Sequence, residues 1–338
     1  MTHRTDADVP TCPPLGKPEL SWAADRLGAL STAFSNRVVG QSALRTSLLV
    51  AMLARGHVLL ESVPGLAKTL AASTLASAVD GSFTRVQCTP DLLPSDIIGT
   101  QVFDQSTATF RTELGPVHAN IVLLDEINRS SAKTQSAMLE AMQERQTSIG
   151  GVIHPLPDPF MVLATQNPIE EEGTYVLPHA QMDRFLLKEV LDYPDVSEEL
   201  EVLNRVEDGS IDAPATPAVS TNDVLTLQDL TRRVVVDEAI KRYIVDIVAV
   251  TRRPETALSD SAARAIEYGA SPRASIAFMS VARALALRDG RAHVIPEDVV
   301  TLRHAVLRHR LVLSFEAQAQ RVRPTDVIDA IFEAVPTP

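Results

Sequence analysis

Leu59-Leu60-Glu61-Ser62-Val63-Pro64-Gly65-Leu66-Ala67-Lys68-Thr69 decides the fold of this 338-residue chain. The residues leading into it, 57–60, form a short apolar run of the kind that makes a buried strand. Pro64-Gly65 marks a turn, and residues 70–76, beginning at Leu70, read as a helix. A strand, a tight loop and a helix that opens on Lys-Thr are the setting of a phosphate-binding loop, where backbone N–H groups converge on an anion. In that setting Lys68 reaches the β- and γ-phosphates and the Thr69 hydroxyl ligates Mg²⁺. The pattern G-x-x-x-x-G-K-[ST] is met only in part, because Ser62 and Ala67 stand at its two glycines. Glycine there supplies close backbone approach and unusual dihedrals, so a plain strand-to-helix turn stays equally open on this stretch alone.

The second informative stretch is Ile121-Val122-Leu123-Leu124-Asp125-Glu126. A continuous apolar run suits a parallel strand covered on both faces. It ends on two carboxylates, and in open α/β sheets ligands sit outside the carboxyl ends of strands. Asp125 is placed to hold Mg²⁺ and Glu126 to orient and polarise an attacking water. Asn167, at the end of the next apolar strand (160–165), is placed to touch the γ-phosphate or that water. Arg184, just before the last strand (185–191), and Arg273, at the start of a later helix, each offer a planar guanidinium suited to phosphate.

Around these lies an alternation of apolar strands and helices that argues for a parallel three-layer αβα domain. Helices are expected at 20–34, 41–54 and from Ser130 or Ser131 to 145, and a strand at 82–87. Residues 89–99 read as irregular. Two hairpins are expected, at 101–112 and at 147–154, the second around Gly150-Gly151. Residues 1–19 read as a flexible tail, 20–206 as the αβα core and 207–222, rich in Pro, Ala, Ser and Thr, as a linker. Residues 223–338 read as a helical lid domain with helices near 224–233, 237–252, 260–268, 272–288, 296–309 and 324–335. Pro272 and Pro296 suit first helical turns.

Composition narrows the function. The chain is 45% hydrophobic with a net charge of −12, so it can bury a core but shows no basic stripe for nucleic-acid phosphates. Aromatic content of 4% argues against base-stacking platforms. No apolar run approaches a membrane span, and residues 1–10 lack an apolar signal segment. Two cysteines, Cys12 and Cys88, with Cys12 in the tail, point to a reducing, cytoplasmic setting rather than a disulfide. The histidines show no metal-ligand spacing with cysteine.

Taken together these residues resemble the MoxR family of AAA+ ATPases, over about residues 20–336. The pieces that carry the resemblance are Pro90-Asp91-Leu92-Leu93-Pro94-Ser95-Asp96, Asp125-Glu126-Ile127-Asn128-Arg129, Leu139-Glu140-Ala141-Met142-Gln143-Glu144-Arg145-Gln146, Ala164-Thr165-Gln166-Asn167-Pro168-Ile169-Glu170, Gly173-Thr174-Tyr175, Ala180-Gln181-Met182-Asp183-Arg184-Phe185 and Gly269-Ala270-Ser271-Pro272-Arg273-Ala274. The resemblance implies a P-loop core with an α-helical lid, binding and hydrolysis of ATP with Mg²⁺, and a homo-oligomeric ring, expected to be a hexamer. It makes Ser62 to Thr69 the Walker A loop and Asp125-Glu126 Walker B. Asn167 becomes sensor 1, Arg184 an arginine finger acting on the neighbouring subunit, and Arg273 sensor 2. Val39, Gly40 and Gln41 border the adenine. The hairpins correspond to the helix-2 insert and the pre-sensor-1 hairpin. Ala67 is usual in this family, whereas Ser62 departs from its glycine and Val176 and His179 from a usual Pro and Glu. The implied role is chaperone-like remodelling or maturation of partner proteins, often with von Willebrand factor A domains, or assistance in metal or cofactor insertion. A chelatase-type motor, a DNA-helicase relative and a nucleotide-binding module without turnover are the alternatives. The acidic charge disfavours the helicase; Glu126, Asn167 and Arg184 disfavour the inert module.

Overall fold

A computed structural model describes residues 13–63, 65–167, 175, 177–209 and 216–338. The tail with Cys12, Pro64 of the phosphate loop, residues 168–174, Val176 and part of the expected linker lie outside the described residues. In chain order, helices α1 (Lys17–Ser35) and α2 (Ser42–Leu53) precede strand β1 (Val58–Glu61), α3 (Lys68–Ala78) and β2 (Phe83–Gln87). Then come α4 (Pro94–Ile98), a hairpin of β3 (Gly99–Asp104) and β4 (Thr109–Leu114), β5 (Ile121–Asp125) and α5 (Ala132–Glu144). A second hairpin of β6 (Gln146–Ile149) and β7 (Val152–Pro155) leads to β8 (Met161–Gln166), α6 (His179–Met182), β9 (Leu187–Val190) and α7 (Val196–Glu207).

The main sheet has the order β2-β5-β8-β1-β9 and all its pairs are parallel. Its side chains alternate between two cores. Val58, Leu60, Ile121, Leu123, Met161 and Leu163 face a cluster built with α1, α2 and α3. Leu59, Val122, Leu124, Val162 and Ala164 face one built with Met138, Leu139 and Met142 of α5. Strands covered on both faces explain the unbroken apolar runs, each fully buried Leu or Ile contributing about 1.5–3 kcal/mol.

The C-terminal part holds α8 (Thr221–Arg233), α9 (Glu238–Arg252), α10 (Asp260–Ala265), β10 (Ile266–Tyr268), α11 (Pro272–Arg288), α12 (Pro296–Thr301), α13 (Arg303–Leu307), β11 (Val312–Leu313), α14 (Phe315–Ala319) and α15 (Pro324–Ala334). It shares the first core cluster, with Leu227, Phe278, Ala282 and Leu285 packed beside Leu48 and Leu53. Gln228 also donates its side-chain amide to the Met52 carbonyl at 2.8 Å.

Four local expectations are corrected. Residues 94–98 are helical, because Pro94 presets the first turn and Asp96 accepts the Leu93 N–H at 2.8 Å. The helix expected over 260–268 stops at Ala265, since Ile266 and Tyr268 pair with Leu313 and Val312. The helix expected over 296–309 breaks at Leu302, whose ψ of 25 leaves the helical range. The amphipathic α7 was not anticipated, and its Val196, Leu200, Leu203 and Val206 are exposed.

Candidate active site

The carboxyl ends of β1, β5 and β8 meet at one edge of the sheet. The Ser62 N–H donates to the Gln166 carbonyl at 3.2 Å, which sets the start of the phosphate loop beside buried Asn167. Ser62 keeps a negative φ, whereas Gly65 and Ala67 adopt φ of +89° and +51°. Ala67 is the N-cap of α3, so the left-handed strain of about 1–2 kcal/mol falls on it and not on Ser62. Ser62→Gly should therefore change the Michaelis constant for ATP by less than about twofold, since it relieves no strain. A steady-state ATP titration checks this; a large gain in affinity would mean that the serine impairs the loop.

Lys68 is the first residue of α3. A cation at a helix N-terminus opposes the macrodipole, an arrangement that becomes favourable once an anion sits between them. Burial pushes the Lys68 ammonium below its usual range, and the charges of Asp125 and Glu126 act against that. Lys68, Asp125 and Glu126 therefore face one space.

Thr165, on β8, ties the carboxylate pair together. Its hydroxyl donates to Asp125 Oδ1 at 3.0 Å and accepts the Glu126 N–H at 2.8 Å. Glu126 sits at φ +56°, the left-handed region, so strain accompanies the turn that brings its side chain off the strand. Sequence reasoning missed three partners of these acids. Arg85 holds Asp125 Oδ2 through Nε at 2.8 Å and a terminal nitrogen at 2.6 Å. Gln87 donates to Glu126 Oε2 at 3.0 Å, and Arg129 lies 3.1 Å from the same oxygen. The register Gln87↔Asp125 explains the first two: alternate residues of β2 reach the acidic end of β5. Two polar residues spaced by two in an edge strand were the available signal. Cys88, bonded through its N–H to the Asp125 carbonyl, is buried, and burial pushes its thiol up to about 12.

The Thr69 hydroxyl and the Asp125 carboxylate are hard oxygen donors of the kind Mg²⁺ takes. Asp125 is already engaged by Arg85, so metal binding there competes with that ion pair. Among the described residues no cluster of three or more His, Cys, Asp or Glu forms a further metal site.

Val39, Gly40 and Gln41 form the turn before α2. Gly40 has φ +63°, and a Cβ on it would stand 2.4 Å from the Glu198 carboxylate of α7. Gln41 donates to the Asp192 carbonyl at 3.3 Å. The segment thus lies beside the carboxyl end of β9, the same edge as the phosphate loop.

Arg184 and Arg273 are elsewhere. Both line a cavity with Arg55, Gly56 and His57, the residues that lead into β1. Leu186 N–H donates to the His57 carbonyl at 2.9 Å, which fixes Arg184 near the amino end of β9. The four residues of β1 separate that edge from the phosphate loop by roughly 13 Å of strand. Neither guanidinium makes an ion pair among the described residues. The structure therefore gathers Ser62, Val63, residues 65–69, Asp125, Glu126 and Asn167 at one edge, and Arg184 with Arg273 at the other.

A five-stranded parallel αβα core with Lys-Thr after β1, Asp-Glu at the end of β5 and a packed helical lid defines a P-loop ATPase of the AAA+ class. The profile of the ATPase family associated with various cellular activities (AAA) matches residues 57–187, and that of the AAA lid domain matches residues 258–331. The chain belongs to the MoxR family of these ATPases. It is 50% identical to "Chaperone MoxR1" of Mycobacterium tuberculosis over 89% of this chain and 79% of that one. It is 32% identical to "Protein MoxR" of Paracoccus denitrificans, over 94% of this chain and 97% of that protein. A crystal structure from Cytophaga hutchinsonii, described as a candidate ATPase, superposes with a TM-score of 0.90 at 42% identity, covering 95% of this chain and 98% of the other.

Proposed function

We propose that the chain binds ATP between the phosphate loop and the end of β5, hydrolyses it, and works as a homo-oligomeric ring that remodels or matures partner proteins. Lys68 neutralises the β- and γ-phosphates, and backbone N–H groups at the start of α3 cradle them. Mg²⁺, held by Thr69 and Asp125, would supply further neutralisation of phosphate charge. Glu126 takes the proton of the attacking water once it gives up Gln87 or Arg129, and Asn167 orients that water or the γ-phosphate. The observation that carries the ring is the position of the two arginines: a guanidinium at the amino edge of the sheet serves a nucleotide at the carboxyl edge of the next copy. Repeating that head-to-tail contact closes a ring, for which six copies are expected. We propose clients with von Willebrand factor A domains, or a metal or cofactor insertion task, as the motif resemblance of the sequence implies.

Lys68→Ala tests the nucleotide site. Removing one partner of a desolvated charge pair costs about 2–5 kcal/mol, so ATP affinity should fall at least about thirtyfold. Titration with a fluorescent ATP analogue reads this directly, and wild-type affinity in the variant would sink the assignment.

A further inference from the structure

The two arginines come from different domains, yet one carboxylate ties together the segments that carry them. Asp183 immediately precedes Arg184. Its Oδ1 accepts from Nε of Arg310, in the loop after α13, at 2.8 Å. Its Oδ2 accepts from the Ser271 hydroxyl at 2.6 Å. That same Ser271 oxygen caps α11 by accepting the Arg273 N–H at 3.1 Å. Arg310 in turn donates to the Phe185 carbonyl at 2.7 Å and the Leu186 carbonyl at 3.1 Å, on the other side of Arg184. His309 adds a contact of 3.1 Å to the Phe185 carbonyl. Arg310 is only 7% exposed. A buried ion pair of this kind adds little net stability, and its established use is to specify one arrangement among several.

We propose that Asp183 is a positioning residue that sets Arg184 and Arg273 jointly toward the nucleotide of the neighbouring copy. The proposal rests on the reading of those two arginines as trans-acting. Arg184 is fixed from both sides, by the Asp183 carboxylate before it and by the Phe185 and Leu186 carbonyls after it. Arg273 is fixed through the cap of its helix. Arg273 and Arg310 repel each other, and Asp183 is the charge that offsets this. Movement of the lid against the core would therefore shift both guanidiniums together, because their common anchor spans the two domains.

The test is complementation in mixed rings. Asp183→Asn leaves its own phosphate edge intact, so its KM for ATP should stay within about twofold while kcat falls roughly a hundredfold, the cost of misplacing a catalytic group by about 1 Å. In a 1:1 mixture of Arg184→Ala with Glu126→Gln, about a quarter of the head-to-tail interfaces carry an intact glutamate on one side and an intact arginine on the other. That mixture should recover activity, and it is the control for the trans reading itself. Asp183→Asn mixed with Glu126→Gln should recover activity likewise, because the Glu126→Gln copy donates good arginines. Asp183→Asn mixed with Arg184→Ala should stay inactive, because both copies fail on the donor side. A misfolded subunit would rescue neither partner. Failure of the control mixture alone would remove the trans reading. A recovered control together with rescue of Arg184→Ala by Asp183→Asn, or a wild-type kcat in Asp183→Asn, would overturn the positioning role. Should Asp183→Asn fail to assemble, Ser271→Ala breaks the link to α11 together with the cap on the Arg273 N–H, and leaves the Asp183–Arg310 pair in place. It should lower kcat severalfold with the same donor-side pattern, and wild-type turnover would count against the proposal.

Discussion

Arg184→Ala should lower turnover per subunit by about 10³–10⁵, the range over which a trans-supplied arginine acts in phosphoryl transfer. ATP binding should survive, because Lys68 and the phosphate loop are untouched at the opposite edge of the sheet. The loss arises because the guanidinium stabilises charge that develops on the transferred phosphoryl group, while ground-state contacts come from the other subunit. Two measurements check it. Equilibrium binding of a fluorescent ATP analogue should match the wild type, and single-turnover hydrolysis should collapse. In the wild type, turnover per subunit should rise with protein concentration as the ring forms. Turnover independent of concentration down to the monomer would place every catalytic group within one chain.

Glu126→Gln should also separate binding from hydrolysis, for a different reason. The amide keeps the shape of the side chain and can still bond Gln87, but it cannot accept the proton of water. General-base catalysis is worth about 10²–10⁴, and turnover should drop by that factor with ATP affinity preserved. Wild-type turnover would show that another group activates the water. The variant has a second use, since an ATP-bound ring that does not turn over should retain its client long enough for the client to be isolated and identified.

The gathering of Lys68, Asp125 and Glu126 at one edge of the sheet was legible because its signals are local. Lys68-Thr69 follows a strand directly, and Asp125-Glu126 closes an apolar run in five consecutive residues of β5 and one beyond. Ala67 in the left-handed region even shows that the position wants a glycine's dihedral without a glycine being present. The partners of the acids were not legible, because they come from register. Arg85 and Gln87 meet Asp125 and Glu126 only once β2 is laid against β5, about forty residues away. The lid shows the same contrast. Pro272 announces α11 by itself, but β10 exists only because β11 pairs with it across more than forty residues, so a local pattern of helical spacing carried past Ala265. The Asp183 anchor was invisible for the same reason, being assembled from three segments that the sequence keeps far apart.

The position of β1 in the sheet has a consequence for how the chain is made. Val58 pairs with Leu163 on one side and Leu187 on the other. Both partners are synthesised more than a hundred residues later. At about 5–20 residues per second, the strand that leads into the phosphate loop waits on the order of ten seconds without a neighbour. During that interval Val58, Leu59 and Leu60 are an unpaired apolar edge on a ribosome-bound chain, and no nucleotide can help, since its site needs strands not yet made. Until β8 and β9 arrive, the first helices, α1 to α3, can shield only the face of that strand that carries Val58 and Leu60, and Leu59 waits for α5 as well.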